Sequence, residues 1–402
     1  MYVKIIAKTV KEKKFSEKLK FWKNYKGKDA FDDLSGKHAG VCYMKDTYEV
    51  INKEPRKKTL GRIKQTKVGG HHSVYDHNFL TLELSGISKA MAMLLNNEKW
   101  YVTSEKSGRY TVIKGSKQEE ELYNKWCKIF EEEISKAYKN SNPKFFTDLK
   151  IKKLAMENAR YLNSIYSRGV IMVYTISYRQ LNYLYGFFKE LIEKGSDKKF
   201  YQKLMPEIKE FYNELSKLPY IDELLIKNGK NRTFTLINTK PDPEEYFGDV
   251  YQTTFKATIP CFAQNIRHRT LWCSMNDIPK KPTYYVPPII SGNKELSKQW
   301  LTDISSNEEN VPQGTLFTCH EAGTLDSFVL KLYERKCTTA QLEINELANL
   351  QLKKYSKALK SKKHARAEEL SDFMKGSRCT FSGYTCTMPC GFKEGINETR
   401  KI

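Results

Sequence analysis

Two arginines flank a histidine in QNIRHRT, residues 264–270, and no carboxylate occurs from residue 254 to residue 276. Arg267 and Arg269 stay charged at any working pH and present planar forks of N–H donors. Such forks match phosphate oxygens and the carbonyl oxygens of a pyrimidine. The competing reading is a loop held by ion pairs. A second anion grip stands in SEKSGRYT, residues 104–111: the hydroxyl of Ser107, the close backbone approach that Gly108 permits, and the guanidinium of Arg109. The competing reading there is a turn before a strand. Glu105, two residues earlier, could orient a ribose or an arginine. His71, His72, Asp76 and His77 crowd residues 70–77, but a zinc site wants a further, spaced ligand set, so no metal is expected. Cys379, Cys386 and Cys390 fall within twelve residues without a CxxC pair, and a reduced tail is expected there.

Rigid elements must hold these groups. Residues 119–138 set Leu122, Trp126, Ile129, Phe130 and Ala137 at helical spacing, and residues 340–359 do the same with Ala340, Ile344, Leu347, Ala348, Leu352, Tyr355 and Leu359. Residues 79–84 and 254–259 alternate apolar and other side chains and read as strands. Each strand runs into an apolar, helix-like stretch and then a polar corner. The corners are Asn97-Glu98-Lys99 and, 170 positions on, Arg267-His268-Arg269. The polar stretch 226–232, with its Asn-Gly pair, marks a boundary between the two.

The chain has 402 residues, 40% of them apolar, enough for a real core. Its net charge of +22 favours anionic partners such as nucleotides, phosphorylated cofactors or nucleic acid. The lysines are spread along the chain, so a generally lysine-dressed surface is the other reading. Nine cysteines without regular spacing argue against a disulfide framework. No signal peptide or anchor is read at the N-terminus. The longest apolar run, residues 169–174, is far too short to span a bilayer. A cytoplasmic protein with no membrane partner is expected.

The order of segments resembles the flavin-dependent thymidylate synthases (ThyX). That family carries Gly-His-x-Ser/Thr-x-x-Glu-His, then Gln-x-x-Arg-His-Arg, Glu-x-Ser-x-Arg-Tyr, Asn-Ala-Arg-x-Leu, and an arginine ahead of Ala-Gln-x-Glu-Ile. Here the segments are shared between two copies. The first has GHHSVYDH (70–77), SGISKA (85–90), SEKSGRY (104–110), ENARYL (157–162) and TISYRQL (175–181). Its Gln and Arg-His-Arg positions read Leu94 and Asn97-Glu98-Lys99. The second has QNIRHR (264–269), NVPQ (310–313) and RKCTTAQLEINELA (335–348), with Asp277 and Pro279 where the Ser and Arg of the grip would stand.

The resemblance implies an α+β fold: two tandem ThyX-like units, each a central antiparallel sheet flanked by helices, forming a pseudo-dimer. The expected partition is 1–225, 233–370 and a cysteine-containing tail at 371–402. It implies that Ser107, Gly108, Arg109, Arg160, Gln264, Arg267 and Arg335 hold a nucleotide, with Arg335, Glu105 and Ser107 serving catalysis. His71, Ser73, Asp76, Arg179, Arg267, His268 and Arg269 would hold FAD. The expected reaction is reductive methylation of dUMP, or of a related pyrimidine nucleotide, with NADPH and methylenetetrahydrofolate as co-substrates. The losses in the two copies are complementary, so a composite site is expected, in a homodimer that rebuilds a tetramer of units. The alternatives are a divergent flavoenzyme acting at C5 of another pyrimidine nucleotide, and a non-catalytic nucleotide- or nucleic-acid-binding protein.

Overall fold

The computed structural model describes residues 1–11, 27–107, 115–229, 233–238, 245–337 and 340–402. The chain forms two compact units, and each is built from two stretches of sequence. One unit is Met1–Lys106 with Gly169–Phe234; the other is Ser107–Arg168 with Thr235–Ile402.

The first unit is organised on a sheet of β1 (Tyr2–Lys8), β2 (Phe79–Ser88), β3 (Tyr101–Glu105) and β4 (Arg168–Ser177), in the order β1-β2-β4-β3. Alternation makes these strands. Leu80, Leu82 and Leu84 of β2 are fully buried, as are Val170, Met172, Tyr174 and Ile176 of β4, while Ile171 and Val173 face outward. β2 feeds the Lys89–Asn97 helix, capped by Ser88, whose side chain accepts from Met91 N at 3.1 Å. β4 feeds the Tyr178–Lys194 helix, capped by Ser177 on Gln180 N at 3.0 Å.

The second unit repeats this plan. Its strands β5 (Glu245–Tyr246), β6 (Val250–Ala257), β7 (Trp272–Met275) and β8 (Phe317–Thr324) form an antiparallel sheet ordered β5-β6-β8-β7. Thr258 caps the Ile259–Asn265 helix and Thr324 caps the Leu325–Arg335 helix. Ser88 and Thr258 lie 170 positions apart, Ser177 and Thr324 lie 147 apart. The registers obey the same two offsets: Val102 faces Thr175 in the first sheet and Trp272 faces Ala322 in the second. A third correspondence has no obvious trace in the sequence. The backbone N–H of Ser88 donates to Glu207 Oε1 at 2.7 Å, and that of Thr258 donates to Glu343 Oε1 at 2.8 Å. Glu207 sits in the Lys199–Ser216 helix and Glu343 in the Leu342–Ser361 helix, so these helices correspond as well.

The contact units depart from the linear partition expected above. Residues 107–168 belong with the second unit, because Trp126, Phe130 and Ile134 share a core with Ile289, Ile290, Trp300 and Ile304. The Trp126 and Trp300 rings meet edge to face at 4.8 Å. Residues 371–402 also belong there: Phe373 and Phe381 are buried with Leu325, Phe328, Leu332 and Tyr355. The strand expected over 254–259 stops at Ala257, since Thr258 turns its hydroxyl to cap a helix that has Pro260 in its first turn. Among the described residues no helix is long and apolar enough to cross a membrane, and no group of three or more His, Cys, Asp or Glu is placed to hold a metal ion.

Candidate functional site

In the second unit, residues 160–165 lie against residues 311–314 through backbone bonds. Gln313 N donates to Asn163 O, Gly314 N to Tyr161 O, both at 2.8 Å, and Ile165 N to Val311 O at 3.1 Å. Gly314 is required by this approach, since a Cβ there would come within 2.7 Å of Ile304 Cδ1 and 3.0 Å of Tyr161 Cβ. The same strip reaches the Ile259–Asn265 helix through Ile259 N to Gln313 O at 3.2 Å. Arg160, from the first half of the sequence, is thereby set beside Gln264, from the second.

The two side chains meet on one residue. Gln341 Oε1 accepts from Arg160 Nη2 and from Gln264 Nε2, the latter at 2.6 Å. The Gln341 amide nitrogen donates to the Tyr161 hydroxyl, and that hydroxyl donates to Glu343 Oε2 at 3.1 Å. Glu343 also takes the Thr258 hydroxyl at 2.5 Å. Its burial pushes the carboxyl above the usual range, although these donors work the other way. Arg160 is only 8% exposed, and its Nε has no hydrogen-bond partner among the described residues. A buried donor left open in this way is a place for an acceptor from outside the chain.

Arg335 ends the Leu325–Arg335 helix and is fixed from two sides. Its Nε donates to His268 Nε2 at 2.8 Å and its Nη2 to the carbonyl of Gln264 at 3.1 Å. His268 therefore carries its proton on Nδ1. Burial, with the positive charges of Arg335 and Lys331, pushes its pKa down to about 2, so it is a neutral acceptor and not a proton carrier. Below this corner lies a buried ion pair. Glu321 Oε2 takes Lys331 Nζ at 2.7 Å and Asn265 Nδ2 at 2.5 Å, while Tyr251 and Gln351 donate to Oε1. Burial alone would raise the Glu321 pKa, but the Lys331 ammonium and the other donors hold it below the usual range.

Residues 29–223 match the family described as thymidylate synthase complementing protein, Thy1. Among solved structures the chain is similar to Thymidylate Synthase X from Helicobacter pylori with FAD and dUMP, at 15% identity over 57% of this chain and 98% of that one, TM-score 0.31. It is similar also to a UMP/dUMP methylase, PolB, from Streptomyces cacaoi bound with 5-Br dUMP, at 13% identity over 57% and 97%, TM-score 0.33. No curated protein sequence matches it.

The matched segment contains four of the residues expected on the flavin side, His71, Ser73, Asp76 and Arg179, and these fall in the first unit. His71 and Ser73 are exposed, the latter in the short His72–His77 turn. Asp76 receives Arg179 Nη1 at 2.7 Å and the Ser177 hydroxyl at 2.6 Å, so Asp76 and Arg179 form a pair. The Arg179 guanidinium lies 5.0 Å from the Tyr183 ring centroid. Glu105 bonds to Lys89 at 2.6 Å and to Asn96 at 3.4 Å. Arg267 and Arg269, half-buried, flank His268 in the second unit. Ser107 begins that unit's first stretch, and its companions Gly108 and Arg109 lie outside the described residues.

The nucleotide set expected from sequence is thus partly assembled in one unit, as Arg160, Gln264 and Arg335. His268 is engaged by Arg335 through Nε2. Sequence reasoning used the Ala-Gln-x-Glu-Ile segment as a landmark and gave Gln341 and Glu343 no role. The landmark was the available signal. The buried Glu321–Lys331 pair has no signal in the sequence, because its members come from a strand and a helix whose pairing only the fold reveals.

Proposed function

We propose that this protein is a flavin-dependent thymidylate synthase-like enzyme that methylates C5 of dUMP, with FAD, NADPH and methylenetetrahydrofolate. The observation that carries the reading is the meeting of Arg160 and Gln264 on Gln341, beside Arg335, in a chain whose residues 29–223 match the ThyX family. Each half of the sequence supplies what the other lacks. The matching strand order, caps and registers support an origin by tandem duplication, with a homodimer as the working assembly.

The residues fit a phosphorylated aromatic cofactor in part. Arg267 and Arg269 are a suitable donor set for a diphosphate, whereas His268 is buried and taken by Arg335. FAD, when bound, would supply the hydride that reduces the transferred carbon. The chain's own part is binding and polarisation. Arg160, with an unpartnered buried Nε, takes a nucleotide oxygen. Arg335, held by His268 and by the Gln264 carbonyl, presents a fixed positive charge to the uracil ring as electron density builds there. Neutral His268 keeps that charge localised on Arg335. No cysteine is assigned a covalent role.

The test is formation of dTMP from dUMP by the purified protein supplied with FAD, NADPH and methylenetetrahydrofolate. Product is expected, and Arg335→Ala should abolish it while dUMP still binds. A protein that purifies without flavin and stays colourless after FAD loading would sink the reading.

A further inference from the structure

The two helices that bring Glu207 and Glu343 to equivalent backbone N–H groups provide an internal control. Aligned on those glutamates, Gln341 corresponds to Met205. Aligned on the caps Ser88 and Thr258, Gln264 corresponds to Leu94. The first unit therefore has Leu94 and, inside its helix, Met205, where the second has a hydrogen-bonded pair of glutamines with Gln341 at the helix N-cap. The glutamate anchor is common to both and serves the fold. The glutamine pair occurs only where Arg160 joins it.

Gln341 is also poorly explained by local structure. It occupies the N-cap position of the Leu342–Ser361 helix, where Ser, Thr, Asp or Asn is favoured, and its side chain makes no capping bond. It is 3% exposed and turns instead toward Arg160 and Gln264. Its orientation is fixed from behind: its amide N–H groups are taken by Tyr161 and, at 3.4 Å, by Glu343 Oε2, so Oε1 must face the two donors. Reversing the amide would set N–H against N–H on one side and oxygen against carboxylate on the other.

We propose that Gln341 is a positioning residue for the nucleotide site: it holds Arg160 by Nη2 and Gln264 by Nε2 so that the remaining donors of both converge on one pyrimidine nucleotide. This rests on the reading above that the site takes dUMP. Its removal should leave the fold, since the helix that follows takes no capping bond from its side chain. It should loosen the nucleotide, since Arg160 would lose its fixed direction.

Titration of wild-type and Gln341→Met protein with dUMP tests this, with thermal melting as the control for folding. The expected result is a dissociation constant raised about ten- to a hundredfold, with a melting temperature close to wild type. Gln341→Glu gives a second, independent readout. The groups facing that position are Arg160, Gln264, Tyr161 and Glu343. Protonated, the new carboxyl resembles the amide and accepts from Arg160 as before. Ionised, it captures the Arg160 charge and competes with the nucleotide. The ratio of variant to wild-type dissociation constant should therefore be lowest at the acid end of the accessible range and rise as the carboxyl ionises. Taking the ratio cancels titration of the nucleotide phosphate. If Gln341→Met does not fold, this profile alone decides. Wild-type affinity in Gln341→Met, or a flat Gln341→Glu ratio, overturns the inference and leaves the proposed function standing. Wild-type protein that does not bind dUMP overturns both.

Discussion

The corner after β2 and the corner after β6 have the same backbone plan and different interiors. Both are launched by a capped helix anchored on a buried glutamate. In the first, Tyr174 donates its hydroxyl to the Leu95 carbonyl at 3.2 Å, and Leu94, Leu184 and Phe188 are fully buried around it. In the second, the corresponding positions read Glu321, Asn265, Gln264, Lys331 and Arg335. At these positions the first corner has apolar packing and the Tyr174 hydroxyl bond. The other holds an ion pair, an amide pair and a guanidinium. The scaffold tolerates either filling, so what it contributes is placement, and the chemistry resides in about five interchangeable side chains.

The sharpest break in this comparison is at Lys331. Lys331→Met imitates the apolar corner at one position and strands Glu321, which should cost about 3–5 kcal/mol in urea or thermal unfolding. Adding Glu321→Gln removes the stranded charge while keeping an acceptor for Tyr251, and most of the loss should return. Equal losses in the single and double variants would mean that the pair is not what distinguishes the corners. Next is the fork. Arg267→Ala should weaken FAD retention by about ten- to a hundredfold, a loss of roughly 1.5–3 kcal/mol, whereas Asn97→Ala at the corresponding place should leave flavin content alone. Loss in both, read from flavin absorbance, would contradict a one-sided site.

A smaller effect concerns pH. His268 is neutral when folded, with a pKa pushed down to about 2, and takes up a proton on unfolding below its ordinary value of about 6.5. Its contribution is present above about pH 6.5 and is lost as pH falls through that window toward the folded value, at about 1.4 kcal/mol per pH unit. His268→Gln should flatten the stability-against-pH slope by one proton, and an unchanged slope would refute the neutral assignment. The smallest effect separates the caps. Ser88→Ala should cost about 1 kcal/mol. Thr258→Ala should cost about 1 kcal/mol more, because its hydroxyl also satisfies buried Glu343; equal costs would make that bond immaterial.

Much of the scaffold was legible because period alone encodes it. The leucines of β2 and the apolar stripe from Leu122 to Phe130 have no alternative reading. Arg160, Gln264 and Arg335 came to notice through the resemblance, since a lone arginine has no intrinsic signature. Other features were closed to inspection of the sequence. Glu207 is hidden because Pro206 stands inside its helix where Leu342 begins the other one. The allegiance of residues 107–168 depends on contacts with side chains far along the chain. The engagement of His268 by Arg335 could not be foreseen, because the motif orders residues without saying which way a ring turns. The fork's partner grip at Gly108 and Arg109 lies outside the described residues.

The sharing of one core between distant stretches has a consequence during synthesis. Trp126 donates its indole N–H to Asp303, 177 positions further on, at 2.7 Å. At ordinary translation speeds that interval takes roughly ten to thirty seconds. Throughout it, Trp126, Phe130 and Ile134 have left the ribosome without Ile290, Trp300 and Ile304 to cover them. The emerging chain therefore carries a sticky aromatic face for far longer than helix formation needs. Chaperone occupancy on nascent chains should accordingly rise after this helix emerges and fall only once residue 304 has cleared the exit tunnel.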